Sequence, residues 1–283
     1  MLLSEIHKNT KEKFDKFKIE TSEIDSRAII KKILGLNDKD FIMDIEISLS
    51  LKENQCLSKV ISERLSGKPL SRIFGSKEFF SMRFAINEFV LDPRPESEIL
   101  VEKALDLIQE NNFKSILELG VGSGCIIAAI LSNSIGTKAV GVDISEQAIM
   151  TAKSNLIKNG IKNFDLVVSD WGLSLNRAFD IIISNPPYIK TNEIKNLNKN
   201  VKDHDPLISL DGGVDGLDCY RVIANQSTHL INDKGYILVE IGHDQAKGVE
   251  KIFGNNDFLL TNKVKDYSNL DRVLIFVKKK IKK

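Results

Sequence analysis

The chain has 283 residues, of which 42% are hydrophobic, and its 40 lysines and arginines against 39 acidic residues give a net charge of +1. This length accommodates one α/β domain of about 190 residues and a smaller companion of about 80, and the charge balance argues against a protein built mainly to wrap nucleic acid. With no run near the ~18 apolar residues of a membrane span, no signal-peptide core and no paired cysteines or clustered histidines, we expect a cytoplasmic protein without a metal site.

The first third of the chain carries the apolar spacing of helices. Helices are predicted over three stretches, Leu2 to Phe17, Ser26 to Leu34 and Asn54 to Leu65. Residues 73–90 alternate enough to predict a β-hairpin. The sequence therefore predicts three parts, which are an N-terminal helical domain over 1–72, a hairpin linker over 73–92 and an α/β domain over 93–283.

The rest of the chain alternates strands with helices. Pro95 is placed to start a helix that runs to Glu110, because proline suits the first helical position. Strands are predicted over Ile116–Leu119, Ala139–Asp143, Asp165–Ser169, Phe179–Ser184, Gly235–Glu240 and Asp271–Lys278. This rhythm predicts a doubly wound, mostly parallel sheet. The basic run from Lys278 to Lys283 is typical of a solvated tail, with affinity for RNA or the ribosome as the alternative.

A glycine-rich turn, Gly120 to Gly124, joins the first of these strands to a helix. Such turns let a nucleotide approach the backbone, but several kinds of nucleotide binder have them. A dinucleotide fingerprint would place its third glycine at Cys125, and the acidic Glu118 would repel a pyrophosphate. A carboxylate there suits a ligand with an ammonium group, such as the methionine end of S-adenosylmethionine.

The next two strands end in further candidate ligand residues. Asp143 stands where an acid accepts hydrogen bonds from both ribose hydroxyls of an adenosyl group, and Ser145 is the predicted cap of the following helix. Asp170 and Trp171, the only tryptophan, follow the third strand and are predicted to lie beside the adenine. The alternatives are a loop-capping acid and a tryptophan that fills a core gap. The predicted cofactor residues are Glu118, Gly120, Val121, Gly122, Ser123, Gly124, Asp143, Asp170, Trp171 and Asn185.

Asn185-Pro186-Pro187-Tyr188 follows the apolar strand that ends at Ser184. The prolines fix φ near about −65° and remove two N–H donors, so the segment is rich in acceptors and poor in donors. The Asn185 side-chain carbonyl and the Pro186 carbonyl form a pair of acceptors for an NH2 group, and Tyr188 offers a ring to stack on it. A loop that only ends a strand is the alternative.

Six segments occur in one order along the chain: 64–70, 73–75, 78–79, 93–96, 185–189 and 211–217. Together they resemble the HemK/PrmC family, class I S-adenosylmethionine-dependent methyltransferases that modify the N5 amide nitrogen of glutamine in peptide chain release factors. The resemblance runs from about Leu51 to the strand around Asp271–Val273. It is carried most specifically by Pro93-Arg94-Pro95-Glu96 together with the Asp-Gly-Gly segment that begins at Asp211.

This resemblance implies a seven-stranded methyltransferase sheet whose last strand is antiparallel, with a small N-terminal helical domain that docks the release factor. The catalytic residues are then Asn185, Pro186 and Tyr188. The residues that contact the substrate glutamine are then Arg94, Glu96, Asn185, Pro186, Pro187 and Tyr188. S-adenosylmethionine is the implied cofactor, with S-adenosylhomocysteine as the product, and a monomer is expected.

Two other functions share parts of this pattern. A nucleic-acid amino-methyltransferase acting on adenine N6 or guanine N2 would use the same Asn-Pro-Pro-Tyr chemistry, but it needs a basic face and commonly a base-flipping pocket. The near-neutral charge and the Pro-Arg-Pro-Glu segment argue against it. A non-catalytic adenosyl-binding module associated with the ribosome is the third hypothesis, and the intact Glu118, Asp143 and Asn185 argue against that one.

Overall fold

The structure is a computed structural model that describes residues 1–279, so residues 280–283 of the predicted basic tail lie outside the described part. The chain divides into two units, Met1–Gly75 and Ser76–Lys283. None of the helices within 1–279 is long and apolar enough to cross a membrane.

The first unit is helical. Its helices are α1 (Leu3–Lys16), α2 (Ser22–Leu34), α3 (Asp38–Met43), α4 (Leu51–Leu65) and α5 (Leu70–Phe74). They surround a small apolar core that includes Leu3, Phe14 and Ile29. Helix α2 begins four residues before the predicted start, because its first turn contributes the buried Asp25, whose Oδ2 accepts from Nε of the buried Arg64 at 2.7 Å. A polar pair turned inward breaks the apolar periodicity on which the prediction depended.

The second unit begins with a hairpin of β1 (Ser76–Phe79) and β2 (Met82–Ala85). This hairpin is shorter than predicted, because Ile73 and Phe74 belong to α5. Asn155 binds both backbone groups of Ala85, donating from Nδ2 to the carbonyl at 3.1 Å and accepting the N–H on Oδ1 at 2.8 Å. The hairpin is thereby attached to the helix that carries Asn155.

A 3-10 turn, Pro95–Ser97, then leads into the larger fold. The helices that follow are α6 (Glu98–Asn111), α7 (Cys125–Ser132), α8 (Glu146–Lys158), α9 (Lys199–Lys202), α10 (Asp218–Leu230) and α11 (Ala246–Asn255). The strands are β3 (Ser115–Leu119), β4 (Lys138–Asp143), β5 (Phe164–Val168), β6 (Phe179–Ser184), β7 (Ile231–Glu240), β8 (Phe258–Lys265) and β9 (Asp271–Lys278).

These seven strands form one sheet in the order β5-β4-β3-β6-β7-β9-β8. The first five are parallel, and β9 runs antiparallel to β7 and β8. The predicted doubly wound, mostly parallel seven-stranded sheet with an antiparallel last strand is therefore confirmed. Strand β8 was not predicted, since it lies at an edge of the sheet and carries mostly polar or exposed side chains that hide its alternation.

Apolar helices cover both faces of the sheet. Successive strand residues point to opposite faces, so Ile116 packs in a core with residues of α6, α7 and α8, while Leu117 packs in a second core with residues of α10 and α11. The strand order reverses between β3 and β6, and in open α/β sheets ligands bind at the carboxyl ends of the strands beside such a switch point. The glycine turn after β3, Asp143 at the end of β4 and Asn185 after β6 all lie at this edge.

Candidate functional site

A cleft of about 280 Å³ opens at the carboxyl ends of β3, β4, β5 and β6. All of its lining residues belong to the second unit. Most predicted site residues line it, namely Arg94, Glu118, Gly120, Val121, Gly122, Ser123, Asp143, Asp170, Trp171, Asn185 and Pro187. Four others do not line it, namely Glu96, Gly124, Pro186 and Tyr188.

The glycine turn is fixed to the neighbouring strand. The N–H groups of Gly120 and Val121 both donate to the Val142 carbonyl at 2.8 Å. Gly124 serves helix packing instead of lining the cleft, because a Cβ at this position would lie 3.1 Å from the Cβ of Ala152 on α8. Its φ of 77° is also one that side chains disfavour. Contact between helices therefore requires glycine at the end of the turn, while ligand access at its start stays a prediction.

Asp143 is held by two backbone donors. Its Oδ2 accepts from the N–H of Gly122 at 2.9 Å, and its Oδ1 accepts from the N–H of Ser145 at 3.0 Å. Burial raises the pKa of Asp143 above its ordinary value, and these two hydrogen bonds oppose the rise. A carboxylate oxygen can accept more than one hydrogen bond, so each oxygen keeps capacity for a hydroxyl donor. The arrangement suits a vicinal diol.

Glu118 is a buried carboxylic acid in the wall of the cleft. One of its oxygens accepts from the N–H of Ile127 at 3.0 Å, in the first turn of α7. Burial, with a smaller contribution from the charge of Asp143, raises the pKa of Glu118 well above its usual range. A cationic ligand group beside it would favour the ionised form and offset this cost.

The charged groups of the cleft are mostly acidic. Glu118, Asp143, Asp170 and Asp211 line it, whereas the guanidinium of Arg94 is paired with Asp205. A diphosphate would meet several carboxylates without a free cation among these lining residues, while a ligand carrying positive charge would be attracted. Within residues 1–279, no group of three or more acidic, histidine or cysteine side chains is placed to hold a metal ion.

Trp171 borders the glycine turn. Its Cζ3 lies 3.8 Å from the position that a Cβ on Gly120 would occupy. The residue has a φ of 50°, which is an outlier for a bulky side chain and is often found at functional sites. The preceding Asp170 is exposed at the cleft. The two residues therefore lie where a flat ring could pack, beside an acceptor for its edge.

The side chain of Asn185 is oriented by a buried hydrogen-bond chain. Its Nδ2 donates to Oγ of Ser97 at 2.9 Å, and Ser97 in turn donates to Oε2 of Glu240 at 2.6 Å. The Asn185 nitrogen is thus engaged by Ser97, whereas no hydrogen bond to the Asn185 oxygen is found within residues 1–279, so this oxygen is available as an acceptor. Sequence reasoning did not find Glu240, because a single acid at a strand end carries no signal of its own.

A second loop supports the Asn-Pro-Pro-Tyr segment from behind. Gln245 donates from Nε2 to the carbonyl of Tyr188 at 2.9 Å and to the carbonyl of Gly216 at 3.0 Å. Gly216 has a φ of 76°, and a Cβ there would lie 2.6 Å from the Tyr188 carbonyl oxygen. The Asp-Gly-Gly segment therefore acts as a backbone support for Tyr188. Gln245 was also missed from the sequence, since an isolated glutamine before a helix predicts nothing.

The Pro-Arg-Pro-Glu segment is tied to the loop before Asp211. Nη2 of Arg94 donates to Oδ2 of the buried Asp205 at 2.6 Å. Glu96 is exposed and does not line the cleft. The contacts of Arg94 and Glu96 with a substrate stay predictions. Asp205 was not a candidate from the sequence, although it now accounts for the arginine in the motif.

Glu240 leads to a prediction about stability. Burial raises the pKa of Glu240 from 4.5 to about 7, against the hydrogen bond from Ser97 and the charge of Arg272. An acid whose pKa is raised on folding stabilises the protein below its unfolded pKa, and this stability is lost as the pH rises through the folded pKa. Glu240→Gln should therefore raise the free energy of unfolding by about 3 kcal/mol at pH 8 and change it little near pH 4.5.

Urea denaturation of both proteins at the two pH values measures this difference. If Glu240→Gln raised the free energy of unfolding equally at both pH values, ionisation of the Glu240 carboxyl group would not be the cause of the stabilisation. Glu250→Gln, on an exposed position of α11, provides an acidic control away from Glu240, and it should change neither value by a comparable amount.

Comparisons with known proteins agree with this fold. Residues 95–202 match the family model of the methyltransferase small domain, and residues 5–75 match that of the PrmC N-terminal domain. The ribosomal protein L11 methylase of Lactobacillus delbrueckii subsp. bulgaricus has a similar fold, with a TM-score of 0.52 and 16% identity over 68% of this chain and 82% of its own. The chain thus has a Rossmann-like methyltransferase fold.

Relatives with higher sequence identity show which family of methyltransferases the chain belongs to. The release factor glutamine methyltransferase of Agrobacterium fabrum is 38% identical over 258 residues, covering 89% of each chain. That of Caulobacter vibrioides is 35% identical over 262 residues, covering 92% of this chain and 91% of its own. The chain belongs to the family of release factor glutamine methyltransferases.

Proposed function

We propose that this protein transfers a methyl group from S-adenosylmethionine to the side-chain amide nitrogen of the glutamine in the Gly-Gly-Gln loop of peptide chain release factors. The observation that carries the proposal is the hydrogen bonding of Asn185, which lines the cleft and whose amide nitrogen donates to Ser97 while its oxygen has no hydrogen-bond partner within residues 1–279. An acceptor held in this way selects a partner with N–H donors, as a primary amide has.

The cleft fits S-adenosylmethionine by its chemistry. Asp143 would hold the ribose hydroxyls, Glu118 the ammonium group, and Trp171 with Asp170 the adenine. The cofactor supplies a sulfonium methyl group, which is electrophilic without the help of a metal. The acidic lining favours this positively charged ligand over a dinucleotide.

The chain's own residues then act by position and electrostatics. We assign the two amide hydrogens to the Asn185 oxygen and to the adjoining Pro186 carbonyl, although Pro186 does not itself line the cleft. This pair favours positive charge on the nitrogen as it becomes methylated. A glutamate carboxylate would face the same two oxygens without a proton between them, so it is rejected. No dedicated base is needed, because a methylated amide cation is acidic enough to lose its proton to water.

Tyr188 is a neutral ring in this scheme. Burial and the nearby charge of Glu240 raise the pKa of the Tyr188 phenol to about 12, so it keeps its proton at neutral pH. We assign it the role of packing on the amide plane. Its carbonyl is held by Gln245, which keeps the ring beside the Asn-Pro-Pro segment.

We assign docking of the release factor to the helical unit Met1–Gly75. Its surface carries exposed large apolar side chains that a bound partner protein could cover, namely Phe17, Ile24, Ile42, Met43 and Leu51. A monomer in the cytoplasm, where release factors act, is part of this proposal. Remote contacts of this kind lower KM for the folded factor and leave cofactor binding unchanged.

Transfer of tritiated methyl groups tests the choice of substrate. Purified release factor should become labelled, whereas a factor with its loop glutamine replaced by glutamate or asparagine should not. A free Gly-Gly-Gln peptide should be a much poorer substrate than the folded factor. Label that enters RNA or DNA and not the release factor would instead establish a nucleic-acid methyltransferase.

A further inference from the structure

We infer that Ser97 and Glu240 are positioning residues that fix the Asn185 amide with its oxygen, and not its NH2 group, toward the reacting nitrogen. The inference rests on the proposed function, because it matters only if the acceptor is an amide or amino nitrogen. Ser97 borders the cleft and Glu240 does not, and in this account both residues act through Asn185 and not on the substrate itself.

The three side chains come from separate parts of the fold. Asn185 follows β6 and Glu240 ends β7, and these strands pair in register with Ser184 opposite Val239, so Asn185 and Glu240 are neighbours at the sheet edge. Ser97 ends the 3-10 turn before α6. Ser97 is 2% exposed and Glu240 is 1% exposed, so water does not compete freely for their hydrogen bonds.

The direction of each hydrogen bond follows from the ionised carboxylate. A carboxylate only accepts, so the Ser97 hydroxyl must donate to Glu240. The Ser97 oxygen then has only lone pairs to offer, and it accepts from the Asn185 nitrogen. A flipped amide would set the Asn185 oxygen against the Ser97 oxygen with no proton between them, which disfavours the flipped form by roughly tenfold or more.

Protonation of Glu240 removes the restriction on the orientation of the Asn185 amide. A protonated carboxyl can donate to Ser97, whose hydroxyl is then free to donate to the Asn185 oxygen, so both amide orientations become possible. Because burial raises the pKa of Glu240 to about 7, this change occurs near neutral pH.

Several groups face Glu240 and shift its titration. The charge of Arg272 on β9 and a hydrogen bond from the Asn185 side chain lower the pKa of Glu240, and the charge of Glu96 raises it. The phenols of Tyr188 and Tyr220 also lie nearby, and Tyr220 donates to the Glu240 backbone carbonyl at 2.8 Å. Since the pKa of each phenol is raised by burial, neither ionises in the range where Glu240 titrates.

Steady-state kinetics on a release factor test this relay, the chain of hydrogen bonds that links Glu240, Ser97 and Asn185. Ser97→Ala should lower kcat by about tenfold with little change in KM or cofactor affinity, because the Asn185 amide then loses its hydrogen bond to Ser97 and only its contact with Glu240 still orients it. Ser97→Thr keeps the hydroxyl and should restore the rate. The wild-type kcat should fall as the pH is lowered, with a midpoint near or below about 7. Glu240→Gln can offer Ser97 either an oxygen or an NH2 group, so this variant should have a lower kcat that does not fall further at acidic pH.

A matched control is Ser227→Ala. The Ser227 hydroxyl is also buried, has no hydrogen-bond partner among the described residues and lies on α10, outside the relay and the cleft. This variant should keep the wild-type rate and pH profile. If Ser97→Ala behaves like Ser227→Ala while the wild-type protein labels the release factor, the relay is wrong.

A second measurement does not depend on activity. In the cofactor-free protein labelled with 15N-asparagine, the Asn185 side-chain NH2 signals should titrate together with Glu240, and this titration should vanish in Glu240→Gln. A wild-type protein that shows the titration but labels no release factor would refute the proposed function and leave the relay standing. Asn185 signals that do not respond to pH in the wild-type protein would overturn the relay.

Discussion

Asn185→Ala is expected to lower kcat for methylation of a release factor by about 10²–10³-fold, the usual effect of losing one group that stabilises charge in the transition state. Because Ser97 already holds the Asn185 nitrogen before any substrate arrives, the proposed contribution of the Asn185 oxygen needs no reorganisation. Affinity for S-adenosylmethionine should change little, because the ribose and ammonium groups are assigned to Asp143 and Glu118.

Single-turnover kinetics, with calorimetry for the cofactor, separate these two effects. Asn163→Ala is the matched control, since Asn163 is exposed beside β5 and does not line the cleft. If Asn185→Ala kept the wild-type rate, the amide-acceptor mechanism would have to be abandoned.

Asp143→Ala is expected to weaken S-adenosylmethionine binding by about 1–3 kcal/mol, because two ribose hydroxyls lose a charged acceptor. The loss should be larger than a simple contact suggests. Asp143 also accepts the N–H groups of Gly122 and Ser145, so the glycine turn loses an anchor at the same time.

Calorimetry measures this loss, and Trp171 fluorescence provides a second readout at the adenine side of the cleft. Asp165→Ala, on an exposed position of β5, removes a carboxylate without touching the cleft and should bind like the wild-type protein. Unchanged affinity in a folded Asp143→Ala protein would place the cofactor elsewhere.

The sequence was most informative where a candidate cofactor residue directly follows a predicted strand. The glycine turn, Asp143 and Trp171 each follow a strand of the parallel sheet, and parallel strands end at one edge. Their meeting in one cleft could therefore be anticipated from strand order alone. The Asn-Pro-Pro-Tyr segment was recognisable for a different reason, because two adjacent prolines fix the backbone locally.

The supporting residues could not be predicted in this way. Glu240, Gln245 and Asp205 act through contacts with segments distant in the chain, and none has a local pattern. Gly124 is a case in which a local pattern predicted the wrong neighbour. Its glycine-rich motif suggests a ligand contact, whereas its neighbour in space is Ala152. Side chains that orient other side chains become visible only when the fold brings them together.

Mass spectrometry of a purified release factor, incubated with this protein and S-adenosylmethionine, tests the central claim most directly. The account predicts that the intact factor gains the mass of one methyl group, and that peptide fragmentation places it on the amide nitrogen of the glutamine in the Gly-Gly-Gln loop. The same reaction with Asn185→Ala should leave the factor unmodified over the same time. A factor that remains unmodified with the wild-type protein, or a methyl group on any other residue, would contradict it.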